Sequence, residues 1–296
     1  MTKLLDPKND VVFQKLFGMK NHKNILISFL NSILNLKGKN AIKDVEFEEK
    51  HLDVSLIASE KLSILDLHVT TETGINVNVE IQLINQYNMI KRTIFYMSKI
   101  LLSQLKKGEE YSSLNRTVTI NILDFNYLEG ENFIKNYALF EKETKEPLTD
   151  LLEYIFIELP KFIETNKDYN NKLHKWLTFL SNPTGEEIEE FMKTDGEIKE
   201  AMDVLYKISG DKEAIMLAEM REKAMMDEQS RLNGARREGG IDALKETILD
   251  NLSELGNIPQ TLINIINKED HIDILKSWTK IAVMSESLDE FEEKIK

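Results

Sequence analysis

The chain has 296 residues, of which 42% are hydrophobic and 30% are charged. This composition excludes a wholly disordered chain, and the length fits one large domain or two modest ones at about 100–200 residues per domain. The absence of Cys excludes disulfide frameworks and thiolate metal sites. The sequence contains no window of about 18 consecutive apolar residues, so it predicts no membrane span. Its first residues also lack the apolar region of a secretory signal. We therefore expect a cytoplasmic protein with no membrane partner.

The net charge of −13 is divided unevenly along the chain. Residues 1–129 carry 16 Lys and Arg against 15 Asp and Glu, whereas residues 130–296 carry 22 against 36. Binding of a polyanion depends on the local surface charge rather than on the total for the chain. The near-neutral first half, which contains local basic clusters, therefore remains compatible with nucleic-acid binding.

In chain order, hydrophobic periodicity predicts two helices, a group of strands, a long helix and a further strand. These elements are helices over 11–17 and from 21 or 24 to 33 or 34, strands over 62–70 and 75–83, a helix over 87–107 and a strand over 117–125. The segment 153–162 holds one more predicted strand. From Asn171 onward the pattern is nearly all helical, with a Gly-rich break at Arg236–Gly240.

This order of elements is typical of an α/β fold. We expect a core over residues 1–182 in which helices flank a central sheet. An acidic α-helical region is expected over residues 183–296, with Pro183 at the boundary.

Two neighbouring strands carry the most informative pattern. In the strand over 75–83 every odd-numbered residue is apolar and every even-numbered residue is polar, and the strand over 62–70 repeats this parity from residue 65 to residue 69. A hairpin that sets Asp66 opposite Glu80 centres its turn on Thr73 and places Gln82 on the same polar face. Directly opposed side chains have Cβ atoms about 4.5–5.5 Å apart, so the two carboxylates would repel each other without a cation between them. The pattern therefore predicts a divalent metal site of the kind that Mg²⁺ occupies. The alternative is a polar sheet face that is merely solvated.

The pattern D66…E80-x-Q82 resembles the D…(D/E)-x-K core of PD-(D/E)XK nucleases, with Gln in place of the usual Lys. More specifically, the chain resembles the recombination-promoting nuclease (Rpn) family, also described as PD-(D/E)XK family transposases. The resemblance extends over nearly the whole chain and rests on the segments DPKNDVVFQKLFG, EKLSILDLHV, NVEIQL, RTIFYMSKILLSQLKKGEEYSSLNRTVTINILDF, FIELPKF, LHKWLTFL, MREKAMMDEQSRLNGARREG and WTKIAVMSESLDEFEE. It implies a restriction-endonuclease-like core with a mixed sheet, and a Mg²⁺-dependent DNA endonuclease in which Mn²⁺ substitutes.

The resemblance also implies roles for individual residues. Asp66 and Glu80 would be the metal ligands, and Gln82 would take the place of the catalytic Lys. Gln can hold a water molecule by hydrogen bonds, but it adds no charge and is not a useful base. Asp10 matches the acidic position of the opening motif, and its alternative role is that of a helix N-cap.

Three further residues are candidates for substrate binding. Lys15 compensates for the charge that Gln14 removes from the usual Phe-Lys motif. Arg92 and Tyr96 are four residues apart on the predicted long helix, so they share a face. Arg92 would clamp a phosphate, whereas the alternative is an Arg stacked on a Tyr at the helix surface.

The sequence thus predicts metal-dependent hydrolysis of phosphodiester bonds in DNA, in support of recombination or mobile-element movement. A homodimer is a further expectation, since two identical sites cut two strands most simply. The alternatives are a catalytically silent DNA-binding or partner-binding protein, an RNA-directed nuclease, and a purely structural helical assembly.

Overall fold

The computed structural model describes residues 3–47 and 67–296. The described strands form one six-stranded mixed sheet, in the order β1-β2-β3-β4-β6-β5. Their bounds are β1 Val45–Phe47, β2 Leu67–Thr71, β3 Asn76–Gln82, β4 Thr117–Leu123, β5 Ile134–Phe140 and β6 Pro147–Glu158. The strands β3, β4 and β6 run parallel to one another, while β1–β2, β2–β3 and β5–β6 are antiparallel pairs.

Helices precede, interrupt and follow the sheet. Among the described residues they are α1 Asp10–Phe17, α2 Lys23–Ile33, α3 Met89–Ser103, α4 Leu159–Glu164, α5 Lys172–Ser181, α6 Glu186–Thr194, α7 Gly196–Ser209, α8 Lys212–Ser253, α9 Gln260–Lys268, α10 Ile272–Met284 and α11 Leu288–Lys294. Short 3₁₀ turns lie at Lys20–His22, Gly38–Asn40 and Tyr111–Ser113. The mixed sheet flanked by helices, with helices at the C-terminal end, confirms the predicted fold class.

The hairpin of β2 and β3 has the predicted register. Leu67 pairs with Val79 and Val69 pairs with Val77, as in a hairpin that sets position 66 opposite position 80. Asp66 itself lies outside the described residues. The turn is closed at Thr71, whose N–H donates to the carbonyl of Ile75, and Gly74 adopts the left-handed backbone conformation that the turn requires (φ +86°).

The strict alternation of β3 separates two environments. Its odd-numbered residues Val77, Val79 and Ile81 are buried in the main hydrophobic core, which also contains side chains of α1, α2 and α5. Large aromatic rings fill this side: the Phe29 ring lies 5.0 Å from that of Phe17 and 5.7 Å from that of Trp176. The opposite face of β3 and β4 carries polar residues and is covered by α3.

The chain divides into two compact units, residues 1–223 and residues 224–296. Helices α6 and α7 belong to the first unit, and Phe191 and Leu205 lie in its core. The second unit has its own apolar cluster, which includes Ile248, Leu262 and Phe291. The domain boundary between residues 182 and 183 stays a prediction, and the compact units divide the chain at a different place.

One detail of the predicted element list is wrong. The break at Arg236–Gly240 is absent because α8 continues through Gly239 and Gly240. The strand predicted within the segment 153–162 is confirmed as the last part of β6, which ends at Glu158. Helix α4 then begins at Leu159 with Pro160 in its first turn, where its missing N–H does no harm. The strand β5, which pairs with β6 at the edge of the sheet, was not predicted.

Candidate active site

Glu80 is a buried carboxylate near the carboxyl end of β3. Its side chain is 1% exposed. The oxygen Oε1 accepts hydrogen bonds from Nε2 of Gln82 at 2.7 Å and from Nε of Arg92 at 2.6 Å. The Nη2 atom of Arg92 makes an additional ion-pair contact with the same oxygen, without hydrogen-bond geometry. A single carboxylate oxygen thus receives all of these donors.

The second oxygen of Glu80 stands in contrast. Oε2 is buried and has no hydrogen-bond partner in the part of the chain that the structure describes. A buried carboxylate oxygen without a partner is unfavourable, because it has lost its water and gained no donor. Hard divalent cations are coordinated by carboxylate oxygens of this kind. The arrangement at Glu80 therefore fits a divalent metal bound to Oε2, while Oε1 accepts the hydrogen bonds of Gln82 and Arg92.

The site is buried because α3 covers the polar face of the sheet. Asn76, Asn78 and Glu80 are 6%, 3% and 1% exposed, so the interpretation of this face as merely solvated is wrong for these residues. Thr93 of α3 donates from Oγ1 to Oδ1 of Asn121 on β4 at 2.7 Å. This hydrogen bond joins α3 to the sheet, next to the position at which Arg92 contacts Glu80.

Arg92 also contacts Tyr96, one helical turn further along α3. Its Cζ atom lies 5.3 Å from the centroid of the Tyr96 ring. The predicted Arg–Tyr stack is therefore present together with the contact to Glu80. The role of Arg92 and Tyr96 in phosphate binding stays a prediction.

A family model described as PD-(D/E)XK nuclease family transposase matches residues 7–235. The chain belongs to this family. The match extends over more than half of the chain and contains Glu80, Gln82 and Arg92. No curated protein and no solved structure matches the chain significantly.

Membership of the PD-(D/E)XK nuclease family transposases gives the buried carboxylate a chemical context. It supports a nuclease-related or transposase-related role, for which DNA is the implied substrate and a divalent metal the typical cofactor. Within the described ranges, no group of three or more His, Asp or Glu side chains is arranged to hold a metal, and no helix is long and apolar enough to cross a membrane. The predicted second ligand, Asp66, lies outside those ranges.

Asp10 and Lys15 lie on α1, and the described hydrogen bonds and ion pairs do not join either of them to Glu80. The N-cap of α1 is Asn9, whose side chain accepts from the N–H of Val11 at 3.1 Å. Asp10 forms an ion pair with Nε of Arg221 on α8. Burial raises the pKa of the Asp10 carboxyl, and the Arg221 guanidinium opposes that rise. The catalytic role of Asp10 and the substrate role of Lys15 stay predictions.

Lys8 is a residue at this edge of the sheet that the sequence did not single out. Its Nζ donates to Oδ2 of Asp124 at 2.8 Å. The N–H of Asp124 in turn donates to the carbonyl of Gln82 at 2.9 Å. Lys8 and Asp124 thus form an ion pair at the strand end that carries Gln82. The only available signal was its place in the opening motif DPKND, two residues before Asp10.

Proposed function

We propose that this protein is a metal-dependent DNA endonuclease that hydrolyses phosphodiester bonds. The observation that carries the proposal is the buried Oε2 of Glu80, which has no hydrogen-bond partner among the described residues although Gln82 and Arg92 both bind Oε1. This asymmetry leaves one carboxylate oxygen for a cation. Glu80 lies on the E-x-Q strand of a member of the PD-(D/E)XK nuclease family, and this membership supports hydrolysis of phosphodiester bonds as the reaction.

Glu80 and Asp66 would hold the metal, which we propose to be Mg²⁺, with Mn²⁺ able to substitute. A bound divalent metal supplies a Lewis acid that activates water and stabilises charge on a phosphodiester. We assign the pair on two grounds. The register of Leu67 opposite Val79 is the one for which the sequence pattern predicts Asp66 opposite Glu80, and D66…E80-x-Q82 resembles the D…(D/E)-x-K core of PD-(D/E)XK nucleases.

The side chains beside Glu80 orient the attacking water and supply positive charge. In the reaction, water attacks phosphorus, one P–O ester bond breaks, and the products are a phosphate monoester and a hydroxyl. Gln82 lies within hydrogen-bond distance of Glu80, and its amide orients the attacking water without taking up a proton. Arg92 supplies the positive charge that Gln82 lacks, and this charge attracts a phosphate.

A second candidate function is a catalytically silent DNA-binding or partner-binding protein. The ion pair of Arg92 with Glu80 favours it, because an internal cation already neutralises the carboxylate. The Gln at position 82 favours it as well, since the charge of the usual Lys is missing.

Plasmid cleavage distinguishes the two functions. With Mg²⁺ we expect nicking by the wild type and a loss of at least about 100-fold in Glu80→Gln, because the variant keeps the size of the side chain but loses the metal-binding charge. Circular dichroism checks that the variant is folded, since Arg92 loses its carboxylate partner. Glu46→Gln is the matched control, since Glu46 lies exposed on β1 and undergoes the same change of charge. EDTA is expected to stop cleavage. Equal nicking by the wild type and Glu80→Gln would contradict the proposed endonuclease activity.

Two further assays refine the proposal. RNA and DNA of the same sequence, offered side by side, decide between a DNA-directed and an RNA-directed nuclease, and we expect cleavage of the DNA. Light scattering tests the proposed homodimer, and a monomer at micromolar concentration would contradict it. We also propose a role in recombination or mobile-element movement, which the word transposase in the family description supports and which requires cleavage of DNA.

A further inference from the structure

The solvent side of α3 carries an unusual combination of side chains. Four large apolar residues on it are between 47% and 76% exposed: Ile90, Ile94, Phe95 and Leu102. Two exposed cations, Lys91 and Lys99, lie among them. We call these six residues the α3 outer face. The opposite side of the helix is buried against the sheet through Thr93 and Met97.

The charge of this region is opposite to that of the chain. Residues 81–108 contain five Lys and Arg and no Asp or Glu, in a chain whose net charge is −13. A continuous segment with cations and without acidic side chains attracts an anion. The apolar side chains among the cations can in addition contact an apolar part of the same ligand.

Contacts lead from the α3 outer face to the candidate active site. Nζ of Lys99 lies 4.7 Å from the centroid of the Phe95 ring and 5.8 Å from that of the Tyr96 ring. Tyr96 is stacked on Arg92, and Arg92 binds Glu80. The aromatic and cationic side chains therefore form one connected path between the surface and the buried carboxylate.

We propose that the α3 outer face binds a single DNA strand with unstacked bases, and the inference rests on the proposed function because this strand is taken as the substrate. Lys91 and Lys99 contact phosphates, and Phe95 stacks on a base. Interleaved cations and aromatic rings are how single strands are bound without sequence preference. Seven residues separate Arg92 from Lys99, or about 10 Å along the helix axis, so the two cations are far enough apart to contact different phosphates of one strand.

The apolar side chains favour a single strand over a duplex. A duplex presents phosphates on its outside and keeps its bases stacked and paired, so Phe95 and Leu102 would gain little from it. Unstacked bases expose their faces, and each base has a face that an aromatic ring can cover.

The inference is tested by binding in EDTA, where no cleavage takes place, with fluorescein-labelled oligonucleotides of about 16 nucleotides. Fluorescence anisotropy measures the Kd for oligo-dT and for a duplex of the same length. We expect Phe95→Ala to weaken binding of the single strand by about 5- to 150-fold. Lys99→Gln is expected to reduce the slope of log K against log salt by about 0.7.

Matched controls lie on the hairpin of β5 and β6. Phe140 is 53% exposed, against 56% for Phe95, and Lys142 is an exposed lysine two residues further on. Phe140→Ala and Lys142→Gln should bind as the wild type does. All four residues are exposed, so the variants are expected to fold, and circular dichroism checks this.

The outcomes separate this inference from the proposed function. If Phe95→Ala binds oligo-dT as tightly as the wild type, or if the duplex binds more tightly than the single strand, the inference is wrong even in an active nuclease. If light scattering shows that Phe95→Ala converts a dimer into a monomer, the face is a protein interface and the inference is equally wrong. If binding depends on Phe95 but neither plasmid nor single-stranded DNA is cut with Mg²⁺, the inference stands and the proposed function fails.

Discussion

Ile120 and Asn121 are neighbours on β4, both fully buried, and they lie on opposite faces of the sheet. Ile120 belongs to the apolar core, while Asn121 bonds to Thr93 and to the carbonyl of Ile155. On the apolar face, burial by itself is stabilising. On the polar face, every buried group needs a partner, and Oε2 of Glu80 and Nδ2 of Asn78 have none among the described residues.

The difference shows how one sheet separates stability from chemistry. Close packing of apolar side chains supplies free energy without specific geometry. A buried polar layer is less favourable than an apolar one unless all its hydrogen bonds are made. We infer that the polar face of β3 and β4 is retained because the proposed reaction needs Glu80, and substitutions on the two faces test this inference.

The largest effect on stability is expected on the apolar face. Ile120→Ala removes buried methyl and methylene groups from the centre of the core, and we expect the free energy of unfolding to fall by about 2–5 kcal/mol. Denaturant unfolding measures the change. A loss well below this range would mean that the apolar face does not supply the stability assigned to it.

On the polar face, we expect substitution by apolar residues to leave the free energy of unfolding unchanged or to raise it. Replacing Glu80 and Arg92 together by Met removes a buried ion pair, and such a replacement is neutral or stabilises by about 1–4 kcal/mol. Glu80→Met alone should destabilise by about 3–5 kcal/mol, because it leaves the Arg92 charge without its carboxylate. The double variant is also expected to be inactive. A double variant as unstable as the single one would show that the pair serves the fold rather than the chemistry.

The smallest effect concerns Asp10, away from both faces. Since burial raises the pKa of Asp10 in the folded chain above 3.8, the folded state binds this proton more tightly than the unfolded state. Its contribution to stability is therefore greatest at acid pH and falls as the pH rises through the window above that value. We expect the stability of Asp10→Asn relative to the wild type to be higher at about pH 7 than at about pH 4. An unchanged difference between the two pH values would contradict the raised pKa.

Much of the fold was predictable because parity and turns are local properties. The alternation of residues 75–83 and the turn after Thr71 were enough for the register of the β2–β3 hairpin. The edge strand β5 was missed because most of its residues are exposed and it has no buried face to impose alternation. The predicted break at Gly239 and Gly240 was wrong because glycine costs a helix only about 1 kcal/mol per residue, which the rest of a 42-residue helix offsets.

The site was predictable only in part. Parity shows which side chains share a face, but it does not show what covers that face, so the burial of Glu80 under α3 came from the structure. The contact of Arg92 with Glu80 joins residues that are 12 positions apart on different elements. Local patterns do not reach over such a distance, and the same holds for the pair of Asp10 with Arg221, which spans 211 positions.

The central claim is that Oε2 of Glu80 is a metal ligand. Its most direct test is a crystal of the protein soaked in Mn²⁺ and measured for anomalous scattering. We expect a peak about 2 Å from Oε2 of Glu80, with Asp66 as a second ligand, and no such peak in Glu80→Gln. A structure without manganese at this oxygen at saturating Mn²⁺ would contradict the account.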